Sequence, residues 1–407
     1  MNCRFCKNNL KKEFINLGTM APANSYVSKE NIKKKQLEYP LKIFVCKKCW
    51  LVQTKDFIDK REFFSSNYAY FSSTSRSWLS HAKEYVDKII KLEKLGKKSF
   101  VIEVASNDGY LLKNFVKKKI PCLGIEPTLS TAKKAEEIGI NCEKIFLTKK
   151  NAYKLLNKYS KADLIVGNNV FAHVPDINDF TSSLDILLKD EGIITLEFPH
   201  LLNLLRFNQF DTIYHEHFSY LSLSVAKKIF EKNNLKIFDV EELTTHGGSI
   251  RIFGCKINSK RVVSKNVEIL LKKEVIFNLE SIKIYENFKF KVENIKNKLK
   301  SILRKIKLDN KKIFAYGAAA KGSTLLNYCG IKGNIIDAVV DLAPLKQNKY
   351  MPTSLIPIRH PDYLKHNKVD YLLILPWNLR DEIIEQNNFL KKRGTKFIVP
   401  IPDVKII

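Results

Sequence analysis

Residues 99–115, S-F-V-I-E-V-A-S-N-D-G-Y-L-L-K-N-F, constrain this chain more than any other stretch. Residues 100–104 form a short apolar run rich in β-branched side chains, as a buried parallel strand requires. Ala105, Ser106, Asn107, Asp108 and Gly109 are small or turn-forming, so the chain bends sharply there. Leu111, Leu112 and Phe115 then recur at helical spacing. Strand, small-residue turn and helix make the opening unit of a doubly wound α/β sheet. Only one residue of the turn, Gly109, is glycine, so the stretch fits the G-x-G-x-x-G of a dinucleotide site poorly. A plain βαβ unit with a polar loop is the alternative.

The following strands repeat the theme. C-L-G-I-E-P at 122–127 is a second apolar run ending in an acid, Glu126. An acid about 20 residues after the first strand is where an adenosine ribose is held through its hydroxyls. Residues 162–170, A-D-L-I-V-G-N-N-V, predict a third strand ending at Asn168 and Asn169, and 192–198 a fourth. Glu103 followed by Asn-Asp-Gly resembles the first motif of class I S-adenosylmethionine (SAM) methyltransferases. There a carboxylate meets the cationic amino end of the ligand, and no pyrophosphate needs a cradle.

The 407 residues are enough for two or three domains, and 45% hydrophobic content predicts a globular chain. Met1-Asn2-Cys3-Arg4 leads into no apolar segment, which predicts no secretory leader. Apolar runs such as 371–377 fall far short of the roughly 18 residues of a membrane span. The expectation is a cytoplasmic enzyme without a membrane partner. A net charge of +28 raises a nucleic-acid partner. The lysines are scattered and not gathered in one patch, which reads as solvated surface. Such a surface is still compatible with an anionic substrate, including a nucleotide diphosphate.

Cys3-x-x-Cys6 and Cys46-x-x-Cys49 can each close a tight knuckle, and together they fit a tetrathiolate zinc site. The gap between the pairs exceeds the usual zinc-ribbon spacing, so an insertion separates them. A redox pair or two disulfides are disfavoured in a chain read as cytoplasmic. Cys122, Cys142, Cys255 and Cys329 are isolated and read as packed apolar residues. Residues 67–77 are an aromatic, hydroxyl-rich loop ahead of a helix at 78–95. The doubly wound domain is expected to close near residue 255, with strands near 236–240 and 249–255.

Tyr214, His215, Glu216 and His217 crowd titratable groups into four positions. They suit acid and base roles; His-x-His chelation and plain surface polarity are the alternatives. T-H-G-G-S-I-R at 245–251 is a glycine-containing turn, either only that or a device placing His246 or Arg251 on a substrate. Residues 266–312 lack glycine and proline and read as one or two amphipathic helices. Residues 313–327, I-F-A-Y-G-A-A-A-K-G-S-T-L-L-N, restart the strand, turn, helix pattern, with further strands at 335–341, 371–376 and 396–400. Tyr316, Gly317 and Lys321 open this second Rossmann-like unit. Its turn offers backbone N–H groups and a lysine to phosphate, unless the unit is only a structural layer.

The whole set resembles the sugar C-methyltransferases of deoxysugar biosynthesis. The carriers are both C-x-x-C pairs, Y-A-Y-F-S-S, E-V-A-S-N-D-G, G-I-E-P, N-N-V-F-A-H-V-P, F-D-T-I-Y-H-E-H-F, H-G-G-S-I-R and Y-G-A-A-A-K-G, in that order. The resemblance implies an α/β fold: a class I SAM-methyltransferase Rossmann-like core, a small N-terminal zinc-binding domain and a C-terminal Rossmann-like domain. The expected boundaries are 1–62, 63–258 and 259–407. It implies zinc on Cys3, Cys6, Cys46 and Cys49, and SAM against Glu103, Asn107, Asp108, Gly109, Glu126 and Asn169. It implies His217 as general base, with Tyr214, Glu216, His173 and Tyr70 around the reacting centre. His246, Arg251, Tyr316, Gly317 and Lys321 are expected on the substrate. Ser106 stands where the family has cysteine or glycine, and His215 where it often has an acid. The implied substrate is a nucleotide-diphosphate sugar carrying a 4-keto group, methylated at C-3.

The chemistry is coherent by itself. A C-4 ketone acidifies the C-3 proton; a base removes it, and the enolate carbon attacks a sulfonium methyl in line, a matter chiefly of positioning. Hydrogen-bond donors near the ketone oxygen stabilise the enolate. The rival readings are a zinc-containing nucleic-acid methyltransferase or binding protein, suggested by the charge, and a non-catalytic scaffold. No stretch concentrates arginine and lysine with interleaved aromatics, so no nucleic-acid partner is expected.

Overall fold

The structure is a computed structural model that describes residues 1–57 and 71–407. The N-terminal strands β1 (Lys12–Met20), β2 (Tyr39–Val45) and β3 (Val52–Thr54) pair antiparallel in sequence order. Their buried positions alternate along β2, as a sheet with one face on the core requires. The sheet gains its fourth strand from far along the chain: Ser219–Tyr220 pairs with Val52 and Gln53.

The central sheet contains β4 (Val101–Val104), β5 (Cys122–Ile125), β6 (Cys142–Glu143), β7 (Ala162–Asn168) and β8 (Leu188–Pro199), all parallel to one another. With Ser219–Tyr220 numbered β9, the remaining strands are β10 (Leu235–Leu243) and β11 (Ser249–Lys256). The order is β10-β11-β8-β7-β4-β5-β6, and β11 runs antiparallel to both its neighbours. This is the expected Rossmann-like methyltransferase sheet. The strand order reverses between β4 and β7, so a crevice opens beyond their carboxyl ends. Helices cover both faces. Trp78, Tyr85, Val86 and Ile89 of Arg76–Leu92 pack with Val101 on one face. Ile177–Leu187 and Leu223–Lys232 pack with Ile102 and Val104 on the other.

The glycine-free stretch after β11 resolves into two helices, Lys265–Ile276 and Ile282–Leu308. The break needs no glycine because Asn278 adopts the left-handed conformation (φ 60°) just past the first helix. The second helix buries Tyr285, Phe288, Val292, Ile295, Leu299 and Leu303 along one stripe. Phe14 of β1 meets Tyr285 edge-on at 5.1 Å between ring centroids, so this helix joins the N-terminal sheet to the C-terminal part.

The C-terminal sheet comprises β12 (Ile313–Tyr316), β13 (Val339–Val340), β14 (Ile358–Arg359), β15 (Tyr371–Ile374), β16 (Lys396–Val399) and β17 (Lys405–Ile406). The order is β14-β13-β12-β15-β16-β17, parallel except for β17. It too reverses order beside its first strand. The two-residue strands β6, β9, β13, β14 and β17 are too short to leave a period in the sequence.

Candidate active site and metal centre

The two C-x-x-C knuckles are near copies. In each, the N–H four residues after the first cysteine donates to its carbonyl: Lys7 to Cys3 at 3.0 Å and Trp50 to Cys46 at 2.7 Å. Lys7 and Trp50 both take positive φ, 60° and 67°. The four Sγ atoms lie within 4.8 Å of one another. Cys3–Cys49 and Cys6–Cys46 are 3.6 and 3.5 Å apart, close to the roughly 3.8 Å edge of a tetrahedron with 2.3 Å zinc–sulfur bonds. The donor set therefore fits zinc. Gln53 donates to Cys3 Sγ at 3.3 Å, a hydrogen bond of the kind that orients and tunes a thiolate ligand. The neighbouring Arg4 donates through Nε to the Phe218 carbonyl at 3.2 Å, which ties this knuckle to the chain leading into β9.

One cavity of about 710 Å³ runs from the crevice of the central sheet to the C-terminal part. Its cofactor end is walled by Val104, Ala105, Asn107, Glu126 and Asn168. The Glu126 carboxylate is fixed by two backbone donors, Asn107 N at 2.9 Å and Thr128 N at 2.8 Å. Burial nevertheless pushes its titration upward. Asn168 is buried with both side-chain amide atoms unpaired among the described residues. An orphaned polar group in a cavity wall calls for a polar ligand, so this end fits SAM. Ala105, Asn107 and Asn169 all have φ between 49° and 59°, strain concentrated where the backbone turns around the crevice.

Three expected cofactor residues stand behind this wall. Glu103 is fully buried and alternates with Ile102 and Val104, so it points to the face covered by Arg76–Leu92. Burial, then Asp108 and Glu126, push its carboxyl well above the ordinary range. Asp108 accepts from Ser73 N at 3.1 Å and from the Ser73 hydroxyl, which fastens the preceding loop. Gly109 (φ 76°) has no room for a side chain, since a Cβ would stand 2.4 Å from Ile140 Cδ1.

At the other end, His173, Tyr214, Glu216, His217, His246 and Lys321 share the same cavity wall. His217 Nδ1 lies 2.8 Å from the Thr212 carbonyl, which fixes the proton on Nδ1 and leaves Nε2 bare. The Tyr214 hydroxyl is 2.6 Å from Nε2. Burial, then His173, hold His217 well below the ordinary histidine range, so the imidazole is neutral. Its ring meets His173 at 4.6 Å, and burial lowers His173 to about 4. Glu216 is pushed up to about 7 by burial. His215 turns away: its Nε2 reaches the Tyr39 carbonyl at 3.1 Å and pins the turn to β2.

The expected substrate residues divide. His246, at φ 54°, has Nε2 3.1 Å from Asn169 Nδ2. The turn beside it needs both glycines, because Cβ atoms on Gly247 and Gly248 would lie 2.4 Å from Trp377 and Asn203. Lys321 Nζ donates to the His246 carbonyl at 3.2 Å and to Asn378 Oδ1 at 3.3 Å. Arg251 is not on the wall; it pairs with the fully buried Glu197 at 2.5 Å and with Glu241 at 3.2 Å. Tyr316 and Gly317 lie off the wall as well, and a Cβ on Gly317 would stand 2.5 Å from Pro376. Tyr70 lies outside the described residues.

Sequence reasoning missed several wall residues. Asn24 and Tyr26 enter from the N-terminal part and Trp78 from the helix after the aromatic loop. Asp211 accepts from Trp377 Nε1 at 2.7 Å and faces Lys321 electrostatically; burial raises it to about 6. Asn24, Tyr26 and Trp78 carry no local motif, since each gains its place from a long-range contact; Asp211 belongs to the F-D-T-I-Y-H-E-H-F run and stands behind the wall.

Comparison with known proteins agrees with this architecture. A zinc binding domain family matches residues 3–64, a methyltransferase domain family 78–240, and the C-methyltransferase C-terminal domain family 244–402. The C-methyltransferase NovU of Streptomyces niveus is 31% identical over 405 residues, covering 100% of this chain and 96% of NovU. This chain belongs to the SAM-dependent C-methyltransferase family. The family's cofactors are SAM and zinc, and the residues of the cavity and of the cysteine cluster fit them. Magnesium protoporphyrin IX methyltransferase from Synechocystis PCC 6803 is 12% identical over 50% of this chain and 100% of its own, with a TM-score of 0.36. A SAM-dependent methyltransferase from Anabaena variabilis is 17% identical over 43% of this chain and 84% of its own, with a TM-score of 0.35.

Proposed function

We propose that this C-methyltransferase acts at C-3 of a nucleotide-linked 4-keto-deoxysugar, with His217 as the base. The supporting observation is His217 itself: a neutral, tautomer-fixed imidazole whose unprotonated Nε2, hydrogen-bonded to the Tyr214 hydroxyl, shares one cavity with the SAM crevice. Glu126 and Asn169, with the Asn107 loop, would hold the cofactor's ribose and amino-acid ends. When bound, SAM supplies an electrophilic methyl group. His217 Nε2 would take the C-3 proton, and the imidazolium would keep its Nδ1–H on the Thr212 carbonyl. The Tyr214 hydroxyl, within hydrogen-bond reach of Nε2, is placed to turn to the ketone oxygen and stabilise enolate charge. Lys321, at the start of Ala320–Cys329, would meet the substrate's phosphates. In this reading the N-terminal module spans 1–62, the methyltransferase core 63–258 and the substrate module 259–407.

The test is a panel of nucleotide sugars incubated with SAM and read by mass spectrometry. One added methyl mass on a 4-keto sugar, located at C-3 by NMR, is the expected result. Methylation confined to oxygen, or to sugars without the ketone, would refute it.

A further inference from the structure

Asn24 lies in the connection between β1 and β2, far in sequence from the catalytic turn. Three contacts fasten this connection to the C-terminal part. Ala21 N donates to Thr353 Oγ1 at 2.8 Å, Tyr26 Oη to the Ala318 carbonyl at 2.6 Å, and Val27 and Tyr350 exchange backbone bonds at 3.0 and 2.8 Å. From that anchored loop Asn24 Nδ2 reaches both carboxyl oxygens of Glu216, at 2.9 and 3.0 Å. Both residues line the cavity. Among the described residues no other group hydrogen-bonds the Glu216 carboxyl.

We propose that Asn24 is a positioning residue of the methyl-transfer site, holding the Glu216 carboxyl in its ionised form and facing the cavity. The inference rests on the function proposed above only in naming the reaction served. An amide N–H₂ group donates and never titrates, so it favours a carboxylate over a neutral acid. Its service matters because burial drives this carboxyl upward and the Asn24 bond opposes it, the balance of the two standing at about 7. Two lysines line the same cavity, but Lys346 pairs with Asp341 at 3.3 Å and Lys321 donates to the His246 carbonyl and Asn378, so neither hydrogen-bonds Glu216. Tyr26 is a neutral phenol on the Asn24 loop, and burial keeps it so. His173 and His217 are held neutral by burial, and Tyr214 shares the Glu216 turn. The zinc-bearing part of the chain thus supplies a group that governs charge at the reacting centre.

Infrared difference spectra against pH test this directly. The carboxylic-acid carbonyl band of Glu216 is identified by its loss in Glu216→Gln. In Asn24→Leu its midpoint is expected to rise by about one to two pH units, the strength of one hydrogen bond to a charged acceptor. Asn24→Asp, which keeps the shape of the side chain, should raise it as well by placing a second carboxyl beside the first. Both variants should keep their zinc. In turnover, Asn24→Leu should lose about tenfold or more at pH 7 and recover by about pH 9, following the same carboxyl. In a Glu216→Gln background the substitution should cost nothing further. An unmoved band, or an equal loss of rate at every pH, overturns the proposal. The infrared arm needs no sugar, so a shifted band in a protein that methylates no 4-keto sugar would sink the substrate assignment and leave Asn24 standing.

Discussion

The chain carries the strand, small-residue turn, helix unit twice, at β4 and at β12, and the cavity meets the two differently. Each unit is followed by a strand ending in an acid. Glu126 accepts from the turn residue Asn107 and from Thr128, and it stands on the cavity wall. Asp341 accepts from Ala343 N at 2.8 Å and pairs with Lys346 at 3.3 Å, so its charge is spent locally. Above the first turn lies the cavity. Above the second, the chain fills its own crevice: Pro376 sits against Gly317, and Leu375 against Gly322. From the C-terminal part, Ala319–Lys321, Lys346, Pro376, Asn378 and Leu379 reach the cavity, while Tyr316 and Gly317 do not. A shared supersecondary pattern therefore does not fix ligand capacity; the side chains beyond the strand ends do.

The largest effect expected from this contrast belongs to the first region. His217→Asn should reduce methyl transfer by about 10²–10⁴-fold, the usual worth of a general base, with SAM affinity unchanged by calorimetry. Activity near the parent level would remove histidine as the base. The two acids give the sharpest comparison. Glu126→Ala should weaken SAM binding roughly ten- to a hundredfold, while Asp341→Ala leaves it within about twofold. Equal losses would break the distinction between the two crevices.

The third prediction concerns the filled crevice. Gly317→Ala forces a Cβ toward Pro376 at a position with φ 90°. It should cost about 1–3 kcal/mol of stability in denaturant titration while sparing SAM affinity. Smallest is Lys321→Met. Two of its N–H groups already serve His246 and Asn378, so one phosphate contact remains to be lost. The expected result is a KM for the nucleotide sugar raised about three- to tenfold, with no change for SAM. If KM for both substrates rises together, Lys321 only props the wall.

Much of this comparison was legible in the sequence. The strands around 101–104, 122–125 and 313–316 announced themselves through apolar runs, and the cysteine spacing announced the metal centre. Direction was not legible. Glu103 sits on a strand beside the crevice and Arg251 on one further along the same sheet, yet pleat alternation turns Glu103 under a helix, and Arg251 pairs with the buried Glu197. A motif names the residue type and not the face it takes. Asn24 was invisible for another reason. Its partner is Glu216, and nothing in the small-residue loop M-A-P-A-N-S-Y encodes a contact made across the whole fold.

The pairing of β3 with β9 also has a consequence for how the protein is made. The outermost strand of the N-terminal sheet comes directly after the turn that carries Tyr214 and His217. On the ribosome, that sheet therefore waits with an open edge on β3 until residue 220 emerges. Its completion and the placing of the turn from Tyr214 to His217 become one event in synthesis. A graft that exchanges only the first segment between relatives would inherit a sheet edge cut for a different closing strand, and the misfit would fall on the residues next to His217.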